Sequence, residues 1–236
     1  NENNVKWFFE NEKPEYVFLA AAKVGGILSN RDFPADYIYE NLKIELNVIH
    51  SSFENNVKRL CFLGSTCIYP REANQPLKED YLMSGPLEKT NEAYAIAKIA
   101  GLKMCEFYNK QYGTNFLMTM PTSIYGINDN FNPVTGHVIP ALITKIYTAK
   151  IKNLDSITIW GSGQVKREFM HSDDLAEALI FLMNTYFENS IVNIGIGSDF
   201  KIIEIVKILC EIIGYEGEIV YDSSKPDGTP RKLVDS

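Results

Sequence analysis

The chain has 236 residues, 45% hydrophobic and 22% charged, with a formal net charge of −7. That length and apolar share suit one large or two small domains with a sizeable core. The negative balance argues against a general nucleic-acid or anionic-membrane surface, so any anionic ligand must meet a local cluster of Lys and Arg.

Residues 4–11 read as a helix leading into Pro14. An α/β chain of this kind usually opens with a strand and a Gly-rich turn, yet no G-x-x-G-x-x-G precedes the first strand. The sequence is therefore expected to begin inside a domain, without that domain's opening β-α-β. Tyr16-Val-Phe-Leu-Ala-Ala-Ala22 reads as a central parallel strand, and Lys23-Val-Gly-Gly26 as a loop at the sheet's carboxyl edge. Open α/β sheets bind ligands outside that edge, where small residues let a cofactor approach. A Gly-bearing turn without a ligand fits this stretch nearly as well.

Residues 34–53 form a helical stretch whose apolar members (Ile38, Leu42, Ile44, Leu46, Val48, Ile49) occupy more than one face. Such a helix is expected to bury one side against its own sheet and the other against a second subunit. His50, on the same helix, reads as structural. Arg59-Leu-Cys-Phe-Leu63 is a buried strand, followed by the loop Gly64-Ser-Thr-Cys-Ile-Tyr69 and Pro70. Residues 71–92 are polar and read as an excursion over a site. A second long helix, 94–112, ends at Gly113. Its small residues Ala95, Ala97, Ala100 and Gly101 permit close approach, and Ile99, Leu102 and Phe107 make its opposite side too apolar for water. Paired across two subunits, the two helices predict a four-helix dimer interface.

A further strand, 115–120, leaves through the loop Pro121-Thr-Ser-Ile-Tyr-Gly126. After an irregular stretch, a helix begins at His137 and runs to about 149. Residues 156–160 form a short strand, with a turn at Gly161-Ser-Gly163. Arg167-Glu-Phe-Met-His-Ser-Asp-Asp174 precedes a helix over 175–187, capped by Ser172 or Asp173. Then come a strand (191–195), a helix (202–213), an edge strand (218–221) and the turn-rich basic tail Lys225-Pro-Asp-Gly-Thr-Pro-Arg-Lys232. No repeats or low-complexity tracts occur. No apolar run reaches membrane-spanning length, and Asn1-Glu-Asn-Asn4 is no signal peptide. Cys61, Cys67, Cys105 and Cys210 form no C-x-x-C pair, which predicts unpaired thiols and a cytoplasmic setting. His171 beside Asp173 and Asp174 has no second His or Cys suitably spaced for a metal and reads as a packed residue at a helix start.

The chemistry concentrates in two segments. Tyr94 and Lys98 lie one helical turn apart, on one face. With Ser65, two residues beyond the strand end, they make up the set a carbonyl reduction needs. The phenol gives a proton, the ammonium favours the phenolate, and the hydroxyl hydrogen-bonds the developing alkoxide.

Five segments carry a family resemblance. They are Leu19-Ala-Ala-Ala-Lys-Val-Gly-Gly26, Phe62-Leu-Gly-Ser-Thr-Cys-Ile-Tyr-Pro70, Glu92-Ala-Tyr-Ala-Ile-Ala-Lys98, Trp160-Gly-Ser-Gly163 with Arg167-Glu-Phe169, and the 225–232 tail. The chain resembles the GDP-L-fucose synthases, extended short-chain dehydrogenase/reductases also called GDP-4-keto-6-deoxy-D-mannose 3,5-epimerase-4-reductases. The likeness runs essentially from end to end. The family's N-terminal Gly-rich turn and following strand are not in this sequence, nor are the helices that normally follow Ser236.

The resemblance implies a Rossmann-type doubly wound parallel sheet, lacking its first β-α-β here, with a smaller C-terminal α/β substrate domain. Residues 1–126 would form the cofactor domain and 127–236 mainly the substrate domain, with helix 172–187 and strand 191–195 returning to the first. It implies epimerisation at carbons 3 and 5 of a GDP-sugar, then NADPH-dependent reduction at carbon 4. Cys67 and His137 become the epimerisation pair, and Ser65, Tyr94 and Lys98 the reduction set. An inversion needs a base on one face and an acid on the other, and thiol and imidazole both titrate near neutrality. The sugar-nucleotide 4,6-dehydratases of the same superfamily typically carry Asp-Glu where this loop has Cys67-Ile68. As a residue alone, Cys67 reads equally as a small buried hydrophobe.

By the same likeness the NADP cofactor touches Ala20, Ala21, Ala22, Gly64, Ser65, Thr66, Tyr94, Lys98, Pro121, Thr122, Ser123, Ile124 and His137. Lys145, Trp160, Arg167 and Asp227 surround the GDP moiety. Lys and Arg suit a diphosphate, an indole packs on a base or sugar face, and a carboxylate accepts from guanine or ribose. Each has a plainer reading: Lys145 as a solvated helix residue, Trp160 as core, Asp227 as a turn former. Two other functions stay open, a related epimerase such as a GDP-mannose 3,5-epimerase, and a non-catalytic dimerising fragment.

Overall fold

A computed structural model describes residues 1–225 and 227–236; Pro226, within the tail motif, lies outside them. Helix α1 (Glu2–Glu12) is capped by the Asn1 side chain and ends at Lys13 in the left-handed conformation. Strand β1 (Tyr16–Leu19) follows, and its pairing ends before Ala20. A short helix that periodicity does not signal, α2 (Ile27–Asp32), precedes the long α3 (Pro34–Glu54), which has Pro34 in its first turn. Next come β2 (Arg59–Leu63), a 3₁₀ turn at Thr66–Ile68 and α4 (Glu92–Tyr112), closed by Gly113 at φ +67°.

Strand β3 (Phe116–Pro121) is buried throughout. The stretch after it is not simply a loop, because β4 (Ser123–Tyr125) pairs further along the chain. Helix α5 (Val138–Ile151) and β5 (Ser156–Trp160) follow. The Arg167 region holds two short strands, β6 (Lys166–Arg167) and β7 (Phe169–His171). Helix α6 (Ser172–Thr185) takes neither Ser172 nor Asp173 as its cap, since the His171 ring accepts from the Asp173 N–H at 3.3 Å. Last are β8 (Ile191–Ile194), β9 (Phe200–Lys201), α7 (Ile202–Ile213), β10 (Glu218–Asp222) and β11 (Arg231–Lys232).

The main sheet is all parallel, in the order β1-β2-β3-β8. Its central strands β2 and β3 are buried almost throughout because helices cover both faces there. Helices α3 and α4 pack on one side around Ile49, Leu60, Phe62, Leu102 and Phe116. Helix α6 packs on the other around Cys61, Leu117, Leu175 and Leu179. A second core joins α5 and α7 to the parallel β5–β10 pair, around Ile146, Ile157 and Val206. Leu102 therefore faces the sheet, 0% exposed, and not outward as the α4 pattern predicts; Ile99 is half-buried and Phe107 exposed. The inward row of α3 is largely polar, with Tyr37, Asn41, Glu45, Ile49 and Ser52 all buried.

Candidate active site

Parallel strands send their loops out at one edge, and there β2 delivers Ser65 and Cys67. The turn is tight. A Cβ on Gly64 would stand 3.1 Å from the Thr119 carbonyl and meet the end of the Met120 side chain, so glycine suits the place where β2 leaves beside β3. The Ser65 hydroxyl caps the following turn, accepting from the Cys67 N–H at 3.4 Å.

Ser65, Cys67, Tyr94 and His137 all line one cavity of about 950 Å³. Gly64 and Thr66, Thr122 and its neighbours, and Lys145, Trp160, Arg167 and Asp227 line it too. Lys98 and Ala20–Ala22 do not. Lys98 lies behind the wall, 2% exposed, with its Nζ 5.9 Å from the Tyr94 ring centroid and donating to the Leu63 carbonyl at 3.0 Å. Ala20 and Ala21 are exposed beyond β1, and the cavity is met instead by Val24, Gly25 and Gly26. Gly25 sits against the Tyr37 hydroxyl, where a Cβ would collide, so the loop gives a backbone cradle at the carboxyl edge. That cradle, the Ser65–Thr66 turn and the Pro121–Ile124 wall fit a nicotinamide dinucleotide.

Burial pushes the Tyr94 phenol well above its ordinary value; Cys67, Glu45 and Tyr37 add to this, and the Ser65 hydroxyl opposes it. Desolvation thus holds the phenol high in place of the expected lowering by an ammonium, and the phenol keeps its proton. Burial also raises the Cys67 thiol, against the pull of Lys232, Ser65 and Lys98, so it does not titrate near neutrality as its residue type predicts. His137 precedes α5, exposed, with its ring unused for capping.

Cations gather along the same cavity in an otherwise acidic chain. Lys145 Nζ donates to the Thr158 carbonyl at 2.8 Å and lies 5.7 Å from the Trp160 ring. Trp160 is 41% exposed, so the core reading of this indole does not hold. Burial lowers Arg167 to about 10, with Asp227 and Glu88 opposing. Both Asp227 carboxylate oxygens hold Ser162, accepting from its N–H and its hydroxyl at 2.8 Å each, so Asp227 fixes the 161–163 turn from 65 positions away. Lys232, unremarked beyond its motif, lines the cavity near Cys67, Arg167 and Glu88, and burial lowers its pKa. Among the described residues no group of three His, Cys, Asp or Glu side chains could hold a metal ion. His171 caps α6.

The NAD dependent epimerase/dehydratase family model matches residues 1–195. The GDP-L-fucose synthase of Sinorhizobium fredii is 54% identical over 235 residues, covering 100% of this chain and 75% of that protein. A GDP-6-OMe-4-keto-L-xylo-heptose reductase from C. jejuni superposes with a TM-score of 0.93 at 41% identity, covering 100% of this chain and 78% of the other. A GDP-L-fucose synthetase from Naegleria fowleri, bound to NADP, superposes with a TM-score of 0.90 at 28% identity, covering 100% and 73%.

Proposed function

The chain belongs to the NAD dependent epimerase/dehydratase family, alongside its GDP-L-fucose synthases, and from that membership we propose that it converts GDP-4-keto-6-deoxy-D-mannose to GDP-L-fucose. One observation carries the reading: a hydroxyl, a thiol, a phenol and an imidazole from separate segments open into a single cavity that Lys145, Arg167 and Lys232 also line. Cys67 and His137 move the protons at carbons 3 and 5, which the 4-keto group acidifies. Such transfers contribute roughly 10²–10⁴-fold each. Bound NADPH supplies hydride to carbon 4. Tyr94 gives the proton that the new alkoxide takes up, Ser65 hydrogen-bonds that oxygen, and Lys98 stands behind the phenol. Lys145, Arg167 and Lys232 neutralise the diphosphate, and Trp160 offers an exposed face for base or sugar.

The cofactor domain of this reading spans residues 1–126, and the substrate domain lies mainly in 127–236. The pairing of β8 with β3, and the packing of α6 on Leu117, support counting both elements with the first domain. A homodimer through α3 and α4 accounts for their exposed Leu46, Ile96 and Phe107. Four cysteines without a disulfide suit a reducing cytoplasm, and among the described residues no helix is long and apolar enough to cross a membrane.

The test supplies GDP-4-keto-6-deoxy-D-mannose and NADPH and analyses the product. Stoichiometric NADPH oxidation with formation of GDP-L-fucose is expected. Exchange of the carbon 3 and 5 protons without NADPH oxidation would make the chain an epimerase alone. Loss of NADPH without that exchange would make it a simple 4-keto reductase.

A further inference from the structure

Glu45 is a fully buried carboxylate that the reaction above leaves without a role, and it stands directly behind the reduction set. From the inward row of α3 its Oε1 lies 3.2 Å from Lys98 Nζ, and the two side chains are 1% and 2% exposed. Neither Oε1 nor Oε2 makes a hydrogen bond, so the contact with Lys98 is an ion pair. Among the described residues no other carboxylate lies within ion-pair distance of Lys98. The space for Glu45 is made by Gly101, whose absent Cβ would stand 2.6 Å from Oε2 and 2.7 Å from Phe62 Cζ.

We propose that Glu45 is a positioning residue for the carbonyl reduction, holding the Lys98 ammonium in place beneath Tyr94; this rests on the reductase reading above. Burial alone gives such a pair little net stability, because the desolvation of two ions offsets their attraction. Its effect lies in where charge sits. Lys98 is pinned from two sides, by the Leu63 carbonyl and the Glu45 carboxylate, with the Phe62 ring centroid 4.9 Å away. The groups facing Glu45 are Lys98, Tyr94 and Cys105 from α4, with Phe62 from β2 carrying no charge. Burial raises the Glu45 carboxyl to about 7, with Lys98 opposing, so it is ionised over the alkaline range where the phenol must keep its proton.

Removing that charge takes from the Tyr94 phenol a negative neighbour that helps hold its proton, so the reducing centre fails at lower pH. It also takes from Lys98 one of the two groups that hold it in place.

The experiment measures NADPH oxidation with GDP-4-keto-6-deoxy-D-mannose from pH 6 to 10 for the wild type, Glu45→Gln and Glu45→Asp. Deuterium exchange at carbons 3 and 5 is followed in parallel. In Glu45→Gln the alkaline limb of kcat should move down by about one pH unit, roughly a tenfold loss at the alkaline end, with KM for the sugar and the exchange unchanged. Glu45→Asp should keep the limb near its wild-type position with kcat several-fold lower. A merely structural role would depress exchange and reduction together, and that result, or an unmoved limb, overturns the proposal. Should the Gln variant not fold, the Asp variant decides alone: reduction lowered with exchange intact supports the role, and unaltered reduction refutes it. A wild type that exchanges protons yet oxidises no NADPH removes the reductase premise itself, an outcome distinct from a working wild type matched by its Gln variant.

Discussion

Tyr94 and Cys67 share a cavity but sit in different electrostatic settings, and the two halves of the reaction can be separated on them. Tyr94→Phe keeps the ring and removes only the hydroxyl. Reduction should fall about 10²-fold or more, while exchange of the carbon 3 and 5 protons continues, as read by deuterium incorporation under mass spectrometry. Equal loss of both would remove the division of labour. Cys67→Ser replaces a soft, buried thiol by a hydroxyl of far lower acidity, and exchange at one or both carbons should cease; unchanged incorporation would take Cys67 out of the mechanism. Residue types and the motif spacing announce both groups in the sequence. What spacing leaves hidden is burial, which raises the phenol and the thiol alike and so keeps both protonated before substrate arrives.

Helices α3 and α4 show how far periodicity reaches. The apolar count marks each as a long helix, and the observed bounds, Pro34–Glu54 and Glu92–Tyr112, differ from the pattern by one or two residues. The function of their shared face lies in what is not apolar. Asn41 accepts from the Lys23 N–H at 2.9 Å and donates to the Lys23 carbonyl at 3.0 Å, tying down the loop after β1, and Glu45 reaches Lys98 one turn later. Tyr37, Asn41 and Glu45 recur every fourth residue, a signal available in the sequence but masked by the surrounding Ile and Leu. Gly101→Ala tests this packing. Its Cβ meets Glu45 and Phe62, both held, so the variant should lose about 1–3 kcal/mol of stability. At about 2–4 °C per kcal/mol for a chain of this size, a thermal melt would read the loss; an unchanged melting temperature would mean that α3 and α4 can part freely.

Across the whole molecule, the main sheet and the α5/α7 core meet at a cavity whose far wall depends on long-range ties. Glu168, fully buried, accepts from Ile196 N–H at 2.6 Å, Gly197 N–H at 2.8 Å and Val234 N–H at 3.0 Å. It thereby anchors the strand that carries Lys232 to the loop after β8. Glu168→Gln keeps the shape but turns one acceptor into a donor facing an N–H. The cost should be about 1–3 kcal/mol, and KM for the GDP-sugar should rise more than kcat falls in steady-state kinetics, because Lys232 loses its mooring. A fall in kcat alone would show that the tail does not serve the nucleotide end.

Local order in the chain is enough to set the strands, the two long helices, the Ser65/Cys67 loop and the Tyr94/Lys98 pair, since each rests on side-chain period, glycine placement or one-turn spacing. The partnership of Glu45 with Lys98, the clamp of Asp227 on Ser162, the short β4–β7 and β6–β11 pairings and the seat of Lys232 beside Cys67 come from segments 46 to 165 positions apart. Their contacts exist because burial strips water from polar groups that must then find each other. No window along the chain contains that requirement; it arises only when the layers close.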